Sequence, residues 1–442
     1  MPFPAPAAGL RRPLPQPTAA PTPPPFPLLA AHFSLLAVSL VLGSAGLVAV
    51  APLLAAGNFL APRVLGVVHL FTLGVLLAAI SGVMHQFYPM ALGWALRSVR
   101  IAATGVTLLI LGVASVVSGF WFWHPALLAI GWVLVFAAVG CVSWNLLPAR
   151  RRSPQARFVG AFVSAGHVAL GFAMLLAALR IGEFLGWWTV NRLGTIAAHF
   201  HLAALGFGTL TALGVGSRMI PMFLVSHGAP TRPVPWIAII LTGGLFAFSI
   251  GAPLHLQPLV WLGASFMFAA VLLHLWVARW YFRHRLRRKL DPAMRFVALA
   301  FVNLGLTALM GAALLITPGF HAGLWIAYGL FGILGWLVTL IMGILQKLVP
   351  HLSRMRLFGR SGRPIPDANV LINPTLARIA LASLEAGLLT LATGVLLRHV
   401  LATRAGAALW LLAVALVVTQ FVRIVMMARG WLAVPEAVGS RE

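Results

Sequence analysis

Apolar residues run along this chain in long, nearly unbroken blocks separated by short polar or basic connections. Twelve blocks are about 20 residues or longer, enough for a helix to cross a hydrocarbon core of about 30 Å. They cover residues 27–50, 64–90, 101–120, 125–147, 157–180, 194–222, 234–253, 257–280, 295–317, 322–349, 374–397 and 405–428. The pattern predicts an all-α membrane protein with a twelve-helix transmembrane domain over residues 27–429. Residues 1–26 are Pro/Ala-rich and carry Arg11 and Arg12. They hold no uninterrupted apolar core before a small-residue cleavage site, so they read as a disordered cytoplasmic tail, not a signal peptide. Residues 430–442 read as a C-terminal cytoplasmic tail. The basic, Gly/Pro-containing stretch at about 350–373 reads as a loop.

Two of the blocks nearly copy each other. HLFTLGVLLAAISGVMHQFYP runs from His69 to Pro89, and HLAALGFGTLTALGVGSRMIP from His201 to Pro221. Each opens on histidine, has glycines at the same two offsets and reaches proline at the same offset. A third copy ends at Pro350, with Gly335 and Gly343 at the glycine offsets and Leu330 in the histidine's place. A second echo joins the segment from Arg157 to the one from Arg295. A fixed period of this kind predicts three pseudo-repeats of four helices, at about 27–150, 151–290 and 291–429, sharing one orientation.

Charge then fixes the expected topology. Hydrophobic residues make up 61% of the 442 positions and charged ones only 8%, so a bilayer is the natural solvent. The net charge of +25 would suggest nucleic acid in a soluble protein. Of the 31 Lys and Arg, however, only Arg63, Arg180, Arg192, Arg398 and Arg404 follow odd-numbered segments. The remainder lie on or near the other side, where the positive-inside rule puts the cytoplasm. Both termini are therefore expected in the cytoplasm of a multi-pass protein of a bacterial-type inner membrane, and no nucleic-acid partner is expected. The single cysteine, Cys141, excludes an internal disulfide, a thiolate cluster and the Cys-x-x-Cys-His attachment of c-type haem.

Histidine carries the candidate chemistry. His32, His85, His227, His284 and His351 are expected near the cytoplasmic face, and His124, His255, His321 and His399 near outer connections, where hydration makes an imidazole cheap. His69, His167, His199, His201 and His274 fall within spans, where an ionisable side chain usually has a partner. His69 and His201 occupy equivalent repeat positions, while His199 aligns with Val67 and Tyr328. Residues i and i+2 differ by about 200° around a helix, so His199 and His201 face different neighbours. Imidazole nitrogens serve metal ions and, axially, haem iron. The bland alternative is a backbone carbonyl for each ring. Glu385, the one carboxylate inside a predicted span, is read as a partner for Arg378 on the same helix. The Met-rich patches, such as Met84, Met90, Met219 and Met222, suit either apolar filling or Cu(I).

The run HFHLAALGFGTLTALGVGSRMIPMFL resembles the helix-ten signature of haem–copper oxidase subunit I. HLFTLGVLLAAISGVMHQFYPMALG is similar to the haem-ligand helix two of that superfamily, including its cbb3-type and NnrS-like relatives. The specific motifs cover about 60 residues. The resemblance implies a haem–copper oxidase subunit I-like fold of twelve helices in a pseudo-threefold layout. It implies a b-type haem held by His69 and His201, and a second haem or metal faced by His199, with His167 able to complete a copper site. The signature stands on the sixth segment here, not the tenth, and the adjacent His-His pair of the oxidase copper site is missing. The expected function is electron transfer or NO/O₂ chemistry at an incomplete oxidase site, with other membrane or cytochrome subunits as partners. Enzymatic activity is left open. The alternative is a transporter or copper-handling membrane protein without haem.

Overall fold

The computed structural model describes residues 23–146, 154–227, 230, 232–317, 319–356, 358, 366–430 and 432–434. The expected N-terminal tail lies outside these residues up to position 22, as does most of the expected C-terminal tail. Twelve of the described helices are long and apolar enough to cross a membrane. In chain order they are α1 (Phe26–Ala55), α2 (Pro62–Leu92), α3 (Val99–Trp121), α4 (Pro125–Leu146), α5 (Pro154–Phe184) and α6 (Arg192–Leu224). Then follow α7 (Pro233–Gly251), α8 (Gln257–Arg283), α9 (Pro292–Ile316), α10 (Ala322–Arg356), α11 (Pro374–Leu396) and α12 (Val400–Arg429). The chain is an all-helical membrane protein.

Local chemistry sets the boundaries. Proline stands in the first turn of α1, α2, α7, α8, α9 and α11, where its missing N–H costs nothing. The side chains of Ser98, Asn191, Asp291 and Asn373 accept from first-turn amides of α3, α6, α9 and α11. α10 runs through Pro350 into the expected loop, and a further helical turn forms at Ala368–Leu371; residues 359–365 lie outside the described ones.

Burial sorts the helices into a centre and a rim. In the most apolar windows of α2, α6 and α10, 67%, 61% and 83% of residues are buried, against 28–44% in the other nine. The centre therefore consists of the three helices that carry the repeated motif. Each contains a π-helical stretch, at Leu70–Leu77, Leu202–Thr209 and Phe331–Val338. A π-turn leaves carbonyls off the regular ladder, and hydroxyls meet two of them: Thr209 donates to Ala204 and Thr339 to Leu334, each five residues back. Trp336 donates to the Thr209 hydroxyl at 3.0 Å, tying α10 to α6. The π-stretch of α10 packs against both others.

On the rim, α3/α4, α7/α8 and α11/α12 form tight hairpins, and α1 packs along α12 to join the chain's two ends. Twelve passes bring the start of α1 and the end of α12 to one face, called here the terminal face.

Asp291 joins two elements on that face. Its Oδ1 caps α9 by accepting from Met294 N at 3.0 Å, and its Oδ2 accepts from Lys347 Nζ of α10 at 2.5 Å. Asp291→Ala should therefore cost about 2 kcal/mol, about half from the cap and half from the partly buried ion pair. Asp291→Asn, which keeps a capping oxygen, should recover the cap's share. Thermal unfolding midpoints in detergent check this, and equal midpoints for the two variants would refute it.

A paired-histidine candidate site

The starts of α2 and α6, on the face opposite the terminal one, set the height of the candidate ligands. α6 is fixed by Asn191, whose Oδ1 accepts from Gly194 N while its Nδ2 donates to the carbonyls of Ala252 and Pro253 beyond α7. A Cβ on Gly194 would stand 2.2 Å from the Ala252 carbonyl oxygen, so glycine permits that approach. α2 begins at Pro62, and the Arg63 guanidinium lies 5.6 Å from the Trp121 ring of α3.

His69 ends the first α-helical stretch of α2, immediately before the π-turns. Its Nδ1–H donates to the Leu65 carbonyl at 2.8 Å, and its ring stacks on Phe120 at 4.9 Å between centroids. His199, on α6, donates from Nδ1 to the Ala173 carbonyl of α5 at 2.8 Å. The two rings lie close together between α2 and α6, 6.5 Å between centroids and tilted by 32°. A carbonyl oxygen only accepts, so Nδ1 is the donor in both rings. In the neutral ring Nε2 is then left with a lone pair.

His201 has a different environment. Its Nδ1–H donates to Ala197 at 2.7 Å, and its Nε2 accepts from the Tyr328 hydroxyl of α10 at 2.8 Å. The ring packs on Phe248 of α7 at 4.6 Å. The structure thus brings His69 to His199, and sends His201 away to Tyr328, as the 200° between positions i and i+2 requires. His167 donates to Val163 at 2.7 Å and meets the edge of Phe207. Among the described residues no three His, Cys, Asp or Glu side chains gather where they could hold a metal ion.

Tyr328 is the residue sequence reasoning did not assign to the site. It is one of three tyrosines in the chain, and on the repeat alignment it occupies the position of His199. Tyr328 and His201 line a cavity of about 560 Å³ between α6, α7, α8, α9 and α10, with Phe248, Trp261, His255 and Thr307 also in its wall. A second cavity of about 230 Å³, between α1, α2, α6 and α10, is lined almost wholly by apolar residues, among them Val68, Phe71 and Phe200. Glu385 accepts from Asn303 Nδ2 of α9 at 3.1 Å, and Asn303 also donates to the Gly335 carbonyl. Arg378 turns instead to Pro374 and Thr375 of its own first turn, so the expected Glu385–Arg378 pair does not form.

Comparison with protein-family models and with curated proteins finds no match for this chain.

Proposed function

We propose that this protein is an integral membrane haem protein, distantly related to haem–copper oxidase subunit I, holding a b-type haem between α2 and α6. The observation that carries the reading is the His69–His199 pair. The rings stand 6.5 Å apart between centroids, so the two imidazoles could hold one haem iron between them. Each ring gives its Nδ1–H to a backbone carbonyl, the second-shell bond that fixes a ligating histidine's tautomer and orientation. His201, whose Nε2 is engaged by Tyr328, is less suited to be His69's partner than the resemblance implies. Its place is at the wall of the larger cavity, where it and Tyr328 would meet a small ligand such as NO or O₂. A bis-imidazole haem supplies one-electron transfer. The chain's own part is to orient both rings, keep water out with Phe120 and surrounding apolar residues, and hold the Tyr328 hydroxyl on His201.

The π-stretches at matching positions in α2, α6 and α10 and the three matching hairpins support three four-helix units about a pseudo-threefold axis. The lysine and arginine distribution supports cytoplasmic termini in a bacterial-type inner membrane. Copper at His199 and His167 is the lesser reading, because His199 meets the ring of His69 while His167 meets the edge of Phe207. The larger cavity favours one alternative, a haem-free carrier of small molecules.

The deciding measurement is the reduced-minus-oxidised visible spectrum of protein produced with a haem supply. A Soret band with sharp α and β bands is expected. Colourless protein would overturn the haem reading and leave the carrier.

A further inference from the structure

Glu385 is the one described carboxylate in the middle of a membrane-crossing helix. It stands halfway between Pro374 and Leu396, about 17 Å from either end of α11, so it lies near the centre of a hydrocarbon core of about 30 Å. Two other acids at helix ends meet cations. Glu183 pairs with Arg180 and Arg192, and Asp291 with Lys347 and Arg287. Glu385 meets an amide instead. Asn303 of α9 is fully buried, and its Nδ2 donates to the Gly335 carbonyl at 3.2 Å and to Glu385 Oε2 at 3.1 Å. A carbonyl only accepts, so the atom against Gly335 is the nitrogen and the orientation of the amide is fixed. The other end of that amide, Oδ1, is buried with no donor. An acceptor left in this state is costly unless something supplies a hydrogen.

We propose that Glu385 is a proton-binding site in the middle of the membrane, occupied as the neutral acid and paired with the Asn303 amide. An un-ionised carboxyl has one O–H donor and keeps acceptor capacity. It can accept from Asn303 Nδ2 on one oxygen and give the O–H of the other to Oδ1, so both groups are satisfied. An ionised carboxylate only accepts, which would leave Oδ1 orphaned and place a bare charge at the bilayer centre. The elements packed against α11 bring it no counter-charge. Arg378 of α11 turns to Pro374 and Thr375, and α12 has Arg404 near its start and no other ionisable group before Arg423. α9 carries only Arg295, near its start, and α1 only His32, in its second turn. On α10, Tyr328 is engaged by His201, and the next ionisable group is Lys347. His274 of α8 meets Phe301 and Trp336. Thr307, one turn along α9, donates to the Asn303 carbonyl at 2.7 Å and lines the larger cavity. That cavity extends to His255 and Gln257 at the start of α8, which gives the proton its side of entry.

The test is the infrared spectrum of the full-length protein at neutral pH, in a detergent free of ester groups. A carbonyl band of an un-ionised carboxylic acid is expected, shifting to lower frequency when heavy water replaces water. Glu385→Gln should abolish that band, and Asn303→Leu should move it by removing both hydrogen bonds. No such band, or one that survives Glu385→Gln, would overturn the assignment. So would a band insensitive to heavy water, which would mean a fixed structural proton. If the variants fail to fold, the wild-type protein decides by its reaction with dicyclohexylcarbodiimide. Glu385 is only partly buried, so a reagent dissolved in the bilayer reaches it. The acid's proton passes to a carbodiimide nitrogen and its oxygen bonds to the central carbon. An acyl shift then leaves the whole reagent attached as an N-acylurea. Peptide mass mapping should find this adduct on Glu385 and not on Glu183 or Asp291, and its absence from Glu385 would overturn the proposal. Haem content does not enter either readout, so failure here leaves the His69–His199 reading standing.

Discussion

Gly406→Ala should lower the unfolding midpoint of this protein more than any other single methyl addition in the α11/α12 hairpin. A Cβ at that position would stand 2.2 Å from the Leu391 nitrogen and 2.6 Å from its Cα. These are backbone atoms, so no rotamer change relieves the overlap, and the helices must separate. Gly394 and Gly387 make the same kind of contact, at 2.4 Å from Thr403 N and 2.7 Å from Trp410 N. Small residues that let backbones touch are the main source of helix association in lipid, where burial of apolar surface gives no preference for protein over acyl chain. Overpacking a fitted interface costs about 1–3 kcal/mol, and more where only backbone can move. The gain in helix propensity from glycine to alanine, about 1 kcal/mol, opposes this. A net loss of at least about 2 kcal/mol is expected, accompanied by a changed environment for Trp410, which is fully buried on α12. Gly140→Ala and Gly243→Ala, where a Cβ would meet nothing within 4 Å, should be neutral or mildly stabilising. Tryptophan fluorescence during heating in detergent measures all three. A Gly406→Ala midpoint equal to wild type would show that this seam does not hold the hairpin.

Much of this architecture was legible in the sequence because membranes impose a coarse rule. Each predicted segment corresponds to an observed helix, and most observed starts fall at a proline or behind a capping Ser, Asn or Asp. The opposed directions of His199 and His201 followed from helix geometry alone. The π-stretches did not show, since in a wholly apolar eight-residue stretch no hydrophobic pattern separates a π-turn from an α-turn. Long-range pairings were equally hidden. The Tyr328 hydroxyl reaches His201 across 127 residues, and Asn303 reaches Glu385 across 82. Depth alone placed His32 and His85 in water, but both are buried, at 1% and 0% exposure, because α1 packs against the end of α2 there. The local sequence does contain a cue for this in Gly82, where a Cβ would stand 2.8 Å from the His32 Cβ.

Haem retention should divide the three candidate histidines unequally. His69→Ala and His199→Ala should each lower haem occupancy at least about 100-fold, because each would remove one of the two imidazoles proposed to hold it, and even the partners that orient a ligating histidine are worth about 10–100-fold. His201→Ala should retain the low-spin spectrum, since its Nε2 lies against Tyr328 at 2.8 Å. The consequences of that substitution should fall on the larger cavity instead. Loss of the imidazole opens space beside Phe248 and frees the Tyr328 hydroxyl, so the thermal unfolding midpoint should fall while the spectrum stays unchanged. Tyr328→Phe separates the two effects, because it keeps the ring volume and removes only the hydrogen bond to His201. The opposite pattern, with haem lost in His201→Ala and kept in His199→Ala, would restore the pairing that the oxidase resemblance implies. It would also require Tyr328 to release His201 when haem binds, a rearrangement that would make the α6–α10 contact the moving part of the site.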